Sequence, residues 1–126
     1  MSLQSPLGRA RGLGSAKEGV AHWWWQRLTA IALAPLSIWF VWLVLSLLHA
    51  DFETIHSTLS RPLVAILLMS FMVSLYYHGA LGLQTIVEDY VHARGMEITM
   101  LVVVKFSAFL FAITSLLAIA RIALAG

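Results

Sequence analysis

The sequence predicts an all-α membrane protein that crosses the bilayer three times. Three apolar stretches, at residues 28–48, 63–87 and 98–124, are each long enough to supply the roughly 20 residues that a bilayer-spanning helix needs. Charged residues are only 11% of the chain and lie mainly at its ends and between these stretches, whereas 60% of the residues are hydrophobic. This distribution is typical of a multi-pass membrane protein, and the length allows a single membrane domain at residues 22–126.

The segment before the first predicted helix, residues 1–21, is rich in Gly, Ser and basic residues. A signal peptide would have an apolar run of roughly 7–15 residues followed by a small-residue cleavage site. Here the apolar run starts only after Arg27 and is far longer. We therefore expect no cleavage and predict a flexible cytoplasmic arm that contacts a partner.

Residues 22–27 (HWWWQR) lie where the first helix would enter the membrane. Their three tryptophans are typical of an interfacial belt, because an indole ring is apolar but keeps one polar N–H group in contact with water. The functional alternative is that His22 and Arg27 contact an anionic group, such as a haem propionate.

The predicted loop at residues 49–62 contains several groups that can bind metals. His49 and His56 are seven residues apart and lie near Asp51 and Glu53, so a metal site is one interpretation. Exposed loop histidines without a metal are the commoner case, and we favour that interpretation.

The distribution of basic residues predicts the orientation of the three helices. Basic residues are enriched on the cytoplasmic side of membrane proteins. Five of them fall on the side of the N-terminus and the second loop, against two on the other side: Arg9, Arg11, Lys17, Arg27 and Arg94 against Arg61 and Arg121. We therefore expect a cytoplasmic N-terminus and a C-terminus on the opposite side.

The second predicted helix carries the polar residues that indicate function. At about 100° per residue, one narrow stripe of this helix contains Ser74, His78, Gly82, Thr85 and Asp89. Gly82, one turn beyond His78, leaves a gap through which a flat ligand can approach the backbone. Asp89 lies roughly 16 Å from His78 along the helix axis. The stripe therefore predicts a ligand position inside the bilayer and a polar site near its edge.

His78 has three interpretations: a structural hydrogen bond to another helix, a proton relay, or an axial haem ligand. The neighbouring Gly79 and Gly82 favour haem, because a porphyrin needs their clearance. A haem would take its second ligand from another subunit, and the ring nitrogen of His78 that does not bind iron should be hydrogen-bonded. Asp89 and Tyr90 are either polar helix-end residues or a quinone site, in which a phenol donates to a quinone carbonyl and an acid orients the ring or relays protons.

The pattern His78-x3-Gly82-x6-Asp89-Tyr90 resembles the haem b-binding hydrophobic membrane anchor of succinate dehydrogenase, respiratory complex II. The entry to the first helix is also similar to that family, on the residues Gly19-Val20, His22 and Arg27-x-Thr29-Ala30. With the three-helix layout, the resemblance extends over nearly the whole chain.

The resemblance implies that His78 is one axial ligand of haem b, that Gly82 gives the haem clearance, and that Asp89 and Tyr90 border the ubiquinone site. Arg27 is a candidate contact for a propionate. The implied partners are a second membrane anchor that shares the haem, an iron–sulfur subunit, and a flavoprotein that oxidises succinate. The expected location is the inner membrane of a bacterium, which we favour over the alternative, the mitochondrial inner membrane.

Several functions are excluded or remain as alternatives. The chain has no cysteine, so it cannot ligate an iron–sulfur cluster through thiolates, and its net charge of +2 is too small to indicate nucleic-acid binding. The alternatives are the anchor of a fumarate reductase, a purely structural anchor, and a small transporter or channel protein with His78, Asp89 and Lys105 as its proton path.

Overall fold

The computed structural model describes residues 6–7 and 16–125. These contain four helices in chain order: α1 (Ala16–Leu47), α2 (Phe52–Leu59), α3 (Pro62–Tyr90) and α4 (Arg94–Ala125). No strand occurs in this part of the chain. The N-terminal arm was predicted at residues 1–21. Of these, residues 1–5 and 8–15 lie outside the described residues, whereas residues 16–21 are helical and belong to α1.

The prediction of three transmembrane helices is confirmed. The long helices α1, α3 and α4 are each long and apolar enough to cross a membrane, over Gly19–Leu47, Pro62–Tyr90 and Arg94–Ala125. Each extends beyond the apolar stretch that predicted it, because the backbone hydrogen bonds of a helix do not end where the hydrocarbon layer ends. As a result, residues 22–27 are helical and the turn between α3 and α4 is short.

A short helix, α2, lies in the segment predicted to be a loop, and the prediction was wrong there. Asp51 caps its N-terminus, because the Asp51 carboxylate accepts a hydrogen bond of 3.0 Å from the backbone N–H of Thr54. At its other end, the Ser60 hydroxyl is within hydrogen-bonding distance of the Ile122 carbonyl, at 3.2 Å. The connection between α1 and α3 is therefore held against the end of α4.

The central helix is α3, which packs against both α1 and α4. The rings of Phe40 on α1 and Phe71 on α3 stack with their centroids 4.7 Å apart. On the opposite side of α3, the Ser115 hydroxyl of α4 donates to the Tyr76 hydroxyl at 3.3 Å. Because α3 contacts both neighbours, its side chains have the most neighbours within the chain.

The outer faces of the three long helices are apolar and exposed. Only five apolar side chains are buried within the described residues: Leu43, Ala65, Leu68, Phe71 and Val87. Large side chains such as Ile38 (74% exposed) and Phe106 (65% exposed) are left mostly uncovered by the described residues. Such surfaces are stable in lipid or against other helices, as expected for a membrane domain that assembles with partners.

Candidate functional site

A cleft between α1 and α3 collects the polar residues of both helices. It has a volume of about 630 Å³, within the range of roughly 300–1,000 Å³ typical of ligand sites. The side chains and glycine that give it its chemical character are His22, Gln26, Arg27, His78, Gly82 and Thr85. We call it the α1–α3 cleft. It brings together four candidate residues that lie in two separate segments of the sequence: His22, Arg27, His78 and Gly82.

The polar wall on α1 follows from the helical repeat. His22, Gln26 and Thr29 are spaced at i, i+4 and i+7, so they share one face of the helix. That face packs towards α3. In the bilayer, polar side chains are stable only where protein or ligand groups satisfy them, so this face belongs in the bundle and not against lipid.

His78 is half-buried and makes one hydrogen-bond contact. Its Nδ1 atom lies 3.0 Å from the Thr29 hydroxyl oxygen. Within the described residues, Nε2 has no hydrogen-bond partner. One ring nitrogen of His78 is thus engaged, and the other has no hydrogen-bond partner among the described residues.

Gly82 leaves space that no other described residue of the chain occupies. A Cβ atom built at Gly82 would have no other heavy atom within 4 Å, apart from its own helix backbone. Close packing of helices within the chain therefore does not require a glycine here. The gap opens on the α1–α3 cleft, on the same side of α3 as His78.

Two polar atoms at this cleft are buried without a partner. Nε2 of His22 and Oε1 of Gln26 are inaccessible to solvent and make no hydrogen bond within the described residues. Most buried polar atoms in folded proteins are hydrogen-bonded, so an orphaned pair at one cleft indicates a polar group that residues 6–7 and 16–125 do not supply. The exposed Arg27 guanidinium lies 5.2 Å from the centroid of the Trp23 ring and adds a positive charge at the cleft.

These features fit a haem-type ligand. The gap at Gly82 accommodates a flat apolar ring, and the free nitrogen of His78 is a suitable iron ligand. His22, Gln26 and Arg27 offer polar and cationic groups to acidic substituents of the ring.

Asp89 and Tyr90 lie outside the cleft, at the C-terminal end of α3. Both are exposed, and Tyr90 is 76% exposed. Asp89 makes no ion pair or side-chain hydrogen bond within residues 6–7 and 16–125. Nearby, the Gln84 amide donates to the Glu88 carboxylate at 2.9 Å. The structure thus keeps the two predicted sites apart, with the second at the helix end and open to a partner.

The segment between α1 and α3 contains the histidines considered as metal ligands. The Nδ1 atom of His56 lies 3.5 Å from the Ser60 hydroxyl, a long contact within α2 and its cap. In the described part of the chain, no three His, Asp or Glu side chains converge on a site that could hold a metal ion.

Thr29 and Gln26 are site residues that were not predicted from the sequence. From the sequence, Thr29 was noted only as part of the pattern that resembles the family, and Gln26 only as one of residues 22–27. The signal that could have identified them is the i, i+4, i+7 spacing from His22 on an otherwise apolar helix.

The fold and cleft define a class: a multi-pass helical membrane protein with a ligand-sized cleft between two of its spans. Residues 1–114 match the family described as the succinate dehydrogenase/fumarate reductase transmembrane subunit. The chain therefore belongs to this family, which confirms the resemblance to a succinate dehydrogenase membrane anchor.

Individual relatives agree with the family match. The succinate dehydrogenase hydrophobic membrane anchor subunit of Rickettsia bellii is 33% identical over 117 residues, covering 93% of this chain and 94% of that protein. The protein of the same name from Paracoccus denitrificans is 30% identical over 90 residues, covering 71% and 70%. No solved structure matches the chain.

Proposed function

We propose that this chain is the hydrophobic membrane anchor of a succinate dehydrogenase, with His78 as one axial ligand of haem b. Membership of the family supports the anchor role. The single observation that carries the haem assignment is the half-buried His78, with Nδ1 engaged and Nε2 free beside the gap at Gly82. Haem b, when bound, supplies a one-electron carrier within the bilayer.

Each residue of the α1–α3 cleft has a role in this proposal. His78 binds the iron through neutral Nε2, and Gly82 gives the ring access to the helix backbone. Arg27 neutralises a propionate through a charge-assisted hydrogen bond, and His22, with its proton on Nε2, and the amide N–H₂ of Gln26 are further donors to that carboxylate. The apolar walls of α1 and α3 exclude water from the ring.

The partners of this proposal follow from what the chain lacks. Among its histidines, only His78 lies at the middle of a spanning helix, so the second axial ligand would come from a second membrane anchor. It has no cysteine for an iron–sulfur cluster, so electrons would arrive through an iron–sulfur subunit from a flavoprotein that oxidises succinate. The exposed apolar faces of α1 and α4 provide surface for the second anchor and for lipid.

We assign part of a ubiquinone-reduction site to Asp89 and Tyr90. The exposed Tyr90 hydroxyl can donate a hydrogen bond to a quinone carbonyl. Asp89, which has no partner in the described part of the chain, is suited to hold a cation of a partner protein near the ring. A bacterial inner membrane with a cytoplasmic N-terminus would put this site where water can supply the two protons that quinone reduction consumes.

The test is a visible spectrum of the purified complex together with the identities of its subunits. The parental complex should show a b-type haem band, and His78→Leu should abolish or strongly perturb it. Succinate oxidation with a soluble acceptor should survive, because the chain does not contact succinate. His49→Leu, which removes an exposed histidine outside the cleft, is the matched control and should keep the band. A parental spectrum in the His78→Leu complex would remove the ligand assignment.

The second candidate is the anchor of a fumarate reductase, because the family description includes both enzymes. The two are separated by comparing rates of succinate oxidation with ubiquinone and of fumarate reduction with a menaquinol in the same purified complex.

A further inference from the structure

We infer that Thr29 is a positioning residue for His78, and that its hydroxyl holds the imidazole in the tautomer that leaves Nε2 free for iron. The inference rests on the proposed function and extends it to a residue on a different helix. It starts from one contact, the 3.0 Å between Thr29 Oγ1 and His78 Nδ1, which joins α1 to α3 across 49 residues of sequence.

The direction of this hydrogen bond follows from the other contacts of the hydroxyl. Thr29 Oγ1 lies 2.7 Å from the carbonyl oxygen of Trp25 and 3.1 Å from that of Gln26. A hydroxyl has one proton, and a carbonyl oxygen can only accept. The proton therefore goes to the backbone of α1, and the lone pairs of Oγ1 remain to accept from His78.

The imidazole must then carry its proton on Nδ1. In the opposite tautomer, the Trp25 carbonyl and His78 Nδ1 would both be acceptors, with one hydroxyl proton between them. If that proton went to Nδ1, the Thr29 hydroxyl oxygen and the Trp25 carbonyl oxygen would lie 2.7 Å apart, the length of an O–H···O hydrogen bond, with no proton between them. With Nδ1 as the donor, the Thr29 hydroxyl accepts from His78 and donates to the Trp25 carbonyl, and Nε2 keeps its lone pair.

The same contact fixes where the ring lies. Thr29 is on the face of α1 that also carries His22 and Gln26, so the hydrogen bond ties the orientation of His78 to the polar wall of the α1–α3 cleft. When the nitrogen of a metal-binding histidine that does not bind the metal donates a hydrogen bond, the nitrogen that does bind becomes more basic. Thr29 should therefore affect both the affinity for haem and the relative stability of its ferric state.

The test replaces the hydroxyl and keeps the shape. Thr29→Val retains a β-branched side chain and removes the acceptor, whereas Thr29→Ser retains the hydroxyl. The matched control is Thr114→Val, because the Thr114 hydroxyl also donates to the carbonyl four residues earlier, at 2.7 Å, but is exposed on α4 and contacts no histidine. All variants are purified as the full complex, and haem is measured per assembled complex with its midpoint potential by redox titration.

Thr29→Val should lower haem affinity by roughly 10- to 100-fold, the usual effect of removing such a partner. A less basic ligand stabilises ferric iron less, so the haem that remains should have a higher potential. Each tenfold loss of preference for the ferric state equals about 59 mV for a one-electron couple. Thr29→Ser and Thr114→Val should both stay close to the parental complex.

The outcomes separate this inference from the proposed function. If the His78→Leu complex keeps its haem, the proposed function fails and this inference fails with it. If His78→Leu loses haem but Thr29→Val has parental haem content and potential, only the role of Thr29 is refuted. Equal loss in Thr29→Val and Thr29→Ser also refutes it, because the hydroxyl would then not be the group that matters. Loss of haem in Thr29→Val, together with parental haem content in Thr29→Ser, supports the role of the Thr29 hydroxyl.

Discussion

Gly82 offers a sharp test of where a flat ligand lies, because a second glycine on the same helix serves as its control. A Cβ atom at Gly79 or Gly82 would meet no atom of the described residues within 4 Å, apart from the backbone of its own helix. Of these two glycines, only Gly82 lines the α1–α3 cleft, so the clearance for a porphyrin that the sequence suggested at both positions is now expected at Gly82 alone. Both positions are inside α3, where replacing glycine by alanine stabilises a helix by roughly 0.5–1 kcal/mol. Without a ligand, Gly79→Ala and Gly82→Ala are therefore expected to be equally harmless to the helix.

A haem against Gly82 makes the two positions different. Gly82→Leu would place four carbon atoms in the space assigned to the ring. Overpacking of this kind typically costs about 1–3 kcal/mol, which corresponds to roughly 5- to 150-fold weaker binding. Gly82→Ala should have a smaller effect in the same direction, and Gly79→Leu should leave haem affinity unchanged.

The assay is haem content per assembled complex, with assembly measured separately from the ratio of the four subunits. Counting haem per complex removes any loss of subunits through a disturbed helix interface, which small residues also serve in membranes. Full haem content in Gly82→Leu would contradict a ring at this position. Equal losses in Gly79→Leu and Gly82→Leu would show that the helix surface in general, and not the cleft, had been disturbed.

Three further predictions concern the cleft edge, the quinone site and α2. Arg27→Gln should lower the haem midpoint potential, because loss of a positive charge near a propionate favours ferric iron; an unchanged redox titration would place Arg27 away from the haem. Tyr90→Phe should slow ubiquinone reduction up to about tenfold, since one hydrogen bond to a neutral acceptor contributes roughly 0.5–1.5 kcal/mol, with haem content and succinate oxidation by an artificial acceptor near parental; parental rates and quinone affinity would refute the contact. Hydrogen bonds from the Thr54 hydroxyl and N–H hold the pKa of Asp51 below its ordinary value of 3.8, so α2 should keep this stabilisation above that pH and lose it as the pH falls through the lowered pKa. The protection of α2 amides against hydrogen exchange, relative to the intrinsic rate at each pH, should fall with that loss and should be low at every pH in Asp51→Ala. Protection in the parent that does not change with pH would contradict the cap.

The position and number of the spans could be predicted from local sequence. Whether a stretch of about 20 residues is apolar enough to cross a bilayer depends only on that stretch, so α1, α3 and α4 were all identified. The helical repeat also put His78 and Gly82 on one side of α3 before any packing was known. The ends of the helices were less well predicted, because capping by Asp51 and the continuation of α1 through residues 22–27 depend on hydrogen bonds and not on hydropathy.

The sequence by itself determined that a histidine lies at mid-helix beside a glycine gap, but the tertiary structure decided which surface faces it. Nearly every side of a bilayer helix is apolar, so hydropathy does not specify which faces of two helices meet. The pairing of Thr29 with His78 spans 49 residues and exists only because α1 packs against α3. Packing likewise buried the orphaned atoms of His22 and Gln26 at the same cleft, and left Tyr90 exposed at the helix end.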